Sequence, residues 1–433
     1  MSKKVLIITY YWPPAGGIGV LRCLKLAKYL RSFGWEPIIY TTKDADYPYF
    51  DENNEKDIPE GIQVLKQPIM EPFGLFKKLT GRKKGTPLNN IVHVRDKQTI
   101  IDKLGIWVRG NFFIPDARCL WIKPSVKYLK EYLKENPVDA ILTDGPPHTN
   151  TAIGLHVAKE TGIPWLADFQ DPWTQVDYYK LFKVSSWAHK KHSKLEQEVF
   201  KTANKITIAS PTWGKELEEI GAKDVSVWYY GYDEDDFSSL LPKQDEKFSI
   251  CHAGLLGFDR NPENLLIALA ELCEEVDGFK DKLSLKMIGQ LDFEVLNKIE
   301  TLGLNNNLNS LGTVSRARVL EEISNAWVLL LPINKADNAK GRIPGKLYEY
   351  LRVQRPILCL GPNNGDVAKI IGETESGKNF EYDDKQGIKN WVREQFVLFS
   401  NGRFGNGKGH DVIVKYSNKK QSEKIARYLD EIT

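Results

Sequence analysis

Three stretches of the chain join glycine and positive charge in a way suited to holding phosphate. Near the start, KKVLIITYYWPPAGGIGVLRCLKLAKYL runs from a β-rich segment through a Pro-Gly loop into a periodic helix. Adjacent Gly16 and Gly17, with Gly19, let backbone N–H groups approach an anion at a helix N-terminus. A tight turn that merely joins strand to helix is the other reading. The dinucleotide fingerprint G-x-G-x-x-G fails on Gly17-Ile18-Gly19-Val20-Leu21-Arg22, because Arg22 stands at the third glycine. The acidic residue due after the second strand is displaced to Asp44, and no G-K-[ST] is present. Nicotinamide and NTPase chemistry are both disfavoured.

The second stretch, NAKGRIPGKLYEYLRVQRPILCLG, places a Gly-Pro-Gly loop before a helix. The amides of 341–345 could again meet phosphate, beside Arg342, Gly345 and Lys346. Glu349 lies one turn on, where a carboxylate can accept hydrogen bonds from the vicinal hydroxyls of a ribose. A solvated Lys–Glu pair is the bland alternative. The third stretch, SICHAGLLGFDRNPENLLIALAEL, ends a strand at Gly254 and puts Arg260 ahead of Asn261-Pro262, which reads as an N-cap with proline at the first helical position. An Arg held there can grip a diphosphate with two N–H groups.

Two further loops follow strands. TDGPPHTN places His148, and ADFQDPW places Asp168 and Asp171, at carboxyl ends where open α/β sheets bind ligands. His148 or Asp171 could position an acceptor hydroxyl, or they could be an ordinary loop His and an Asp-Pro turn. His189 and His192, in AHKKHSK, read as solvated helix residues. Asp44-Ala45-Asp46 and Asp233-Glu234-Asp235 match D-x-D, but acidic pairs in loops are commonly turn residues, so no metal site is expected.

The elements that must carry these loops alternate. Strands are expected near 5–9, 37–41, 62–65, 140–143, 165–168, 206–209 and 225–229, and again near 248–252, 283–288, 328–331 and 356–360. Helices are expected at 19–31, 151–161, 186–202, 212–220, 262–276, 316–325, 346–351, 387–398 and about 418–432. Such alternation predicts an α/β fold of parallel sheets with helices on both faces. The expected division is a first domain at 1–232 with an insertion at about 70–135, a polar linker at 233–247, a second domain at 248–412 and a final segment at 413–433. An insertion of that size in a compact domain is usually functional or mobile.

At 433 residues the chain exceeds one ordinary core. A net charge of +3 gives no global field that demands nucleic acid. Five scattered cysteines lack metal or disulfide spacing, which fits a reducing cytosol. No apolar run reaches membrane-spanning length and the first lacks a signal peptide's features, so a soluble, cytoplasmic protein is expected. One cluster, Lys77, Lys78, Arg82, Lys83 and Lys84 beside Phe73, Leu75, Phe76 and Leu79, reads as a solvated loop or as an interfacial segment for anionic lipid.

Taken together, YYWPPAGGIGVLR, HAGLLGFDRNP, LGTVSRARVLEEISNAWVLLLP and IPGKLYEYL resemble the retaining glycosyltransferases of family 4, with the GT-B fold. PPHTN, DFQDPWT and GYDEDDF resemble a bacterial subgroup that builds surface polysaccharide or lipid-linked glycans. The resemblance spans nearly the whole chain. It implies two Rossmann-like domains facing across a cleft, with the C-terminal helix crossing back to the N-terminal domain. It implies a nucleotide-sugar donor, UDP- or GDP-linked, as substrate, with no cofactor, and a glycan or lipid-linked acceptor. By match to the family's motifs, Glu349 is expected at the ribose and Arg260 at the diphosphate. Gly16 and Gly17 match the loop over the donor phosphates, Gly254 the strand-end glycine, and Gly312, Thr313 and Val314 the loop near the base.

Two departures stand out. Gly341 occupies the place of the first glutamate in E-x7-E, and Leu255 that of a basic residue after the strand-end glycine. A second cation must then come from Arg342 or Lys346, with Arg22 behind them. A nucleotide-sugar epimerase of the same fold and a non-catalytic nucleotide-sugar binder are the competing readings.

Overall fold

The computed structural model describes residues 2–47, 49–71, 100–403 and 410–433. The basic cluster at 77–84 lies outside them. The chain divides into two compact units, one of residues 1–230 with 418–433, the other of residues 231–417.

The first unit is built on β1 (Lys3–Ile8), β2 (Trp35–Thr42), β3 (Gln63–Gln67), β4 (Ala140–Gly145), β5 (Trp165–Phe169), β6 (Lys205–Ile208) and β7 (Val225–Val227). They form one parallel sheet in the order β3-β2-β1-β4-β5-β6-β7. Apolar runs such as Val-Leu-Ile-Ile suit a sheet covered on both faces. Leu6 and Ile8 enter one buried cluster with Trp121, Leu129 and Ile153, while Val5 and Ile7 enter another with Leu24, Ala27, Ile425 and Leu429. The helices that cover it include α1 (Ile18–Leu30), α2 (Ile100–Phe112), α3 (Ile122–Glu135), α4 (His148–Thr161), α5 (Ser186–Thr202) and α6 (Pro211–Glu219). Two of these, α2 and α3, occupy the 100–135 part of the expected insertion.

The second unit repeats the scheme with β8 (Phe248–Ala253), β9 (Leu283–Ile288), β10 (Leu308–Gly312), β11 (Val328–Pro332), β12 (Ile357–Leu360) and β13 (Gly377–Phe380). Their order is β10-β9-β8-β11-β12-β13, again all parallel. Its longer helices are α7 (Glu263–Glu275), α8 (Phe293–Thr301), α9 (Arg316–Asn325), α10 (Lys346–Val353), α11 (Asp366–Thr374) and α12 (Lys385–Ser400). The last helix, α13 (Asn418–Ile432), returns to the first unit and packs against α1. Two parallel Rossmann-like sheets with a returning C-terminal helix are the GT-B architecture that the motifs implied.

Each sheet reverses its strand order once, between β1 and β4 and between β8 and β11. Crevices at the carboxyl ends beside such reversals are where open α/β sheets take ligands. Pro146-Pro147-His148 follows β4 and Gly254 follows β8, so both reversal points carry residues singled out in the sequence.

Candidate functional site

In the second unit, Gly254 directly follows β8 with φ +118°, a conformation that side-chain-bearing residues rarely adopt. A Cβ there would stand 2.7 Å from the Lys346 Nζ, so the missing side chain is what gives the lysine its place. Lys346 opens α10 and reaches back to the strand end, with Nζ 3.5 Å from the His252 Nε2. His252 is fully buried, its Nδ1 3.0 Å from the Leu330 carbonyl oxygen, and burial holds its basicity well below normal. Lys346 therefore meets a neutral imidazole. Burial, and then the nearby Arg260 charge, push the Lys346 ammonium down to about 7, with Glu349 opposing the shift. No carboxylate stands within ion-pair distance of it among the described residues.

Arg260 occupies a 3-10 turn, Phe258–Arg260, about a quarter exposed, with its Nε 3.5 Å from Asp259. The expected cap of α7 is corrected: Pro262 holds the N-cap position, and the buried Asn261 Oδ1 has no hydrogen-bond partner. The turn before it ends at Arg260 and leaves Asn261 one residue too early to reach the helix amides.

Glu349 is ion-paired with Arg316, Oε1 to Nη1 at 2.7 Å, and the same guanidinium meets Asp236 at 3.1 Å. Those carboxylates raise the Arg316 basicity against the opposing effect of its burial. Sequence reasoning passed over Arg316, although a cation in the first turn of α9 faces the unfavourable end of the helix dipole and so needs acidic partners.

The 341–345 loop is less open to an anion than its glycines suggest. The Gly341 and Arg342 amides donate to Asn338 and Ala339, and those of Leu347 and Tyr348 to Pro344 and Gly345. Ile343, Gly345 and Lys346 are left to offer theirs. Gly312, at φ +63°, turns the chain after β10, its carbonyl accepting from the Gly289 amide; Thr313 is exposed and Val314 half-buried.

In the first unit, a cavity of about 460 Å³ is lined by Tyr11, Gly16, Gly19, His148, Asp171, Trp173 and others from α2 and the segment after it, including Arg109, Asp116 and Arg118. His148 begins α4, is 7% exposed, and stacks on Trp173 with centroids 4.3 Å apart and planes at 4°. Its Nδ1 has no hydrogen-bond partner, and burial holds the ring neutral, with its pKa down to about 3. The Trp173 indole donates to the His192 Nδ1 at 3.1 Å. His192 is 4% exposed and lines the cavity, which corrects its reading as a solvated helix residue. The Pro147 N-cap lends α4 no side-chain bond; instead Asp116 accepts from the Thr149 amide and hydroxyl, both at 2.8 Å. A residue of the insertion thus caps the helix that presents His148.

The glycine loop is also sharpened. Gly16 donates its amide to Tyr49 at 2.8 Å, and a Cβ on it would lie 3.2 Å from Phe50 and Asp51. Its amide is therefore committed, as is that of Val20, which donates to the Gly17 carbonyl at 3.3 Å, while Gly17 itself stands at φ +90°. Arg22 does not project toward a ligand. Its Nε and Nη2 fork onto Asp168 at 2.6 and 2.8 Å, Nη2 also reaches the Trp228 carbonyl, and both charged side chains are fully buried. Beside them, burial and the Asp168 charge raise the Asp144 carboxyl to about 6, while Thr9 and Gln170 donate to it. The Tyr230 hydroxyl in turn donates to Gln170 at 2.6 Å.

Comparison with known proteins agrees with this fold. A family model described as Glycosyltransferase Family 4 matches residues 15–236, and one described as Glycosyl transferases group 1 matches residues 233–393. No curated protein matches the chain. Among solved structures, the lipopolysaccharide outer core galactosyltransferase WaaB is 14% identical with a TM-score of 0.56, over 99% of both chains. Sucrose-phosphate synthase of Thermosynechococcus elongatus is 13% identical with a TM-score of 0.57, over 99% of this chain and 94% of that one. A putative UDP-N-acetylglucosamine 2-epimerase of Listeria monocytogenes is 11% identical with a TM-score of 0.54, over 100% and 98%. At these identities the likeness is one of fold.

Proposed function

The chain belongs to Glycosyltransferase Family 4, and from that premise we propose that it moves a sugar from a UDP- or GDP-linked donor to a glycan or lipid-linked acceptor. We further propose that the anomeric configuration is retained and that the product enters surface polysaccharide at the inner face of a cell membrane. The observation that carries the reading is Lys346, held over Gly254 without a carboxylate partner. A half-buried ammonium so placed is a site waiting for an anion.

In this reading Glu349 accepts from the donor ribose hydroxyls, oriented by Arg316. Arg260, Lys346 and the amides at the start of α10 receive the diphosphate, with Arg342 near them; Gly312, Thr313 and Val314 flank the base. As the anomeric C–O bond breaks, negative charge grows on the leaving phosphate, and preorganised cations stabilise that change more than they stabilise the ground state. The sugar passes through an oxocarbenium-like state, and the donor phosphate takes the acceptor proton during front-face attack. These cations and amides supply the charge that a metal would otherwise bring, so the proposed reaction needs none.

The acceptor is assigned to the aromatic cavity of the first unit, with the His148 imidazole and Asp171 positioning its hydroxyl. That cavity favours transfer over epimerisation, which acts on the donor alone. Incubation with a panel of nucleotide-sugars, with and without a crude glycolipid extract, tests the reading. Acceptor-dependent release of nucleoside diphosphate is the expected result. Inversion at C2 of the donor without release would establish the epimerase instead.

A further inference from the structure

We infer that α2 and the first turns of α5 form a docking face for an anionic phospholipid bilayer. The inference rests on the transferase reading only for what it delivers, a lipid-linked acceptor.

Ile100, Leu104 and Trp107 recur at helical spacing along α2, and their exposures of 85, 59 and 40% place an apolar stripe in solvent. Phe112 continues it at 61%, and Trp187, 52% exposed at the start of α5, completes it. Ring centroids lie 5.7 Å apart for Trp107 and Phe112 and 6.3 Å for Phe112 and Trp187, so these rings form one patch.

The C-terminal turn of the helix is tied to the segment before α5. Asn111, one turn beyond Trp107 and 2% exposed, accepts from the Ser185 amide at 2.7 Å and donates to the Lys183 carbonyl at 3.3 Å. A Cβ on Gly110 would lie 2.6 Å from that of Phe182, so the two segments touch backbone to side chain. The last turn of α2 is thus anchored, and the turns before it carry Ile100, Leu104 and Trp107 into solvent.

Charge selects the occupant. Lys103 on α2 and Lys190, Lys191 and Lys194 on α5 are exposed, and the Lys191 Nζ sits 4.0 Å over the Trp187 ring. The one acidic residue of α2, Asp102, is buried, and none occurs from Ser185 to Leu195. Tryptophan and phenylalanine ringed by lysine suit the headgroup layer of an anionic membrane, where rings sit at the boundary and cations meet phosphate. The same helix puts Arg109 and Gly110 into the wall of the 460 Å³ cavity, so a face seated on the bilayer lies beside the assigned acceptor site.

Co-sedimentation of the full chain with phosphatidylglycerol vesicles, against phosphatidylcholine vesicles, tests this without any donor present. Binding to the anionic vesicles alone is expected. Trp107→Ser with Trp187→Ser should abolish it, and Lys190→Glu, Lys191→Glu and Lys194→Glu should each weaken it about fivefold or more. All substitute exposed residues, and unchanged thermal unfolding and nucleotide binding would show that they fold. Failure of the parent chain to bind, or equal binding by the tryptophan variant, overturns the proposal. So does a dimer in sedimentation that the tryptophan variant disperses, since the patch would then face a second copy. Vesicle binding without any sugar transfer would keep this inference and reject the transferase reading.

Discussion

Arg22 and Asp168 form a fully buried, two-pronged ion pair that joins α1 to β5. The arginine that breaks the dinucleotide fingerprint is therefore a structural cation, already neutralised. Removing one partner strands the other charge in the interior, at about 3–5 kcal/mol. Asp168→Ala should lower unfolding free energy by that order in denaturant titration. Pairing it with Arg22→Met should recover part of the loss. A neutral result for the single variant would show that water reaches the pair.

Glu349 is held by Arg316, so the two should act on donor binding together. Glu349→Gln keeps the shape but loses a charged acceptor for the ribose hydroxyls, a loss of roughly 1.5–3 kcal/mol, or about ten- to a hundredfold in nucleoside diphosphate affinity. Arg316→Met should weaken binding less, because it frees the carboxylate without removing it. Calorimetric titration with UDP and GDP reads both. Arg316→Met losing more than Glu349→Gln would mean that the arginine touches the nucleotide itself.

Lys346 makes donor binding depend on pH. Its pKa of about 7 means that the free protein loses this charge as pH rises through neutrality. An arriving diphosphate favours the charged form, so binding takes up a proton above pH 7. Apparent Kd should be level below that pH and rise by up to about tenfold per unit above it. Lys346→Arg, whose guanidinium stays charged, should flatten the profile. The sign for stability is the reverse. The unfolded lysine titrates near 10.5, so between 7 and that value it binds more protons than the folded one. The group therefore subtracts stability at neutral pH, and the penalty shrinks as pH climbs.

His148 should serve the acceptor and leave the donor alone. His148→Ala is expected to reduce kcat by about a hundredfold, the scale of losing a group that positions a reacting hydroxyl, with nucleotide Kd unchanged. Since burial keeps the imidazole neutral down to about pH 3, this residue adds no limb to the rate profile between pH 5 and 8. A parallel loss of nucleotide affinity would assign it a structural part instead.

Asp116 caps α4 from outside that helix. Asp116→Ala leaves the Thr149 amide and hydroxyl without this acceptor and should cost about 1–2 kcal/mol, measured by thermal unfolding.

The central strands were legible because a sheet buried on both faces writes continuous apolar runs into the chain, as in Val5–Ile8 and Val328–Leu331. The edge strands β10 and β13 were missed: Leu-Asn-Ser-Leu-Gly and Gly-Lys-Asn-Phe carry too little apolar pattern, since neighbours on one side only hold them. Helices α2 and α3 were hidden in the insertion because α2 turns apolar residues outward. At the site, glycines and charges announced themselves, but their pairing did not. Sequence alone could not tell a cation aimed at a ligand from one buried against a carboxylate. Arg22 lies 146 positions from Asp168, and Arg316 33 positions from Glu349. Gly16 shows the same limit from the other direction, since its amide was taken by Tyr49 across a loop with no pattern to mark it.

The helix α13 has a consequence for how the molecule comes into being. Ile425, Ala426 and Leu429 fill the core beneath α1, and Gln421 and Lys424 bond the backbone of Tyr229 and Val227. A ribosome delivers these residues only after it has made the whole of 231–417. The sheet that starts first must therefore wait with one flank bare while the later sheet completes itself. During synthesis, that uncovered side of α1 is where a chaperone would find its grip.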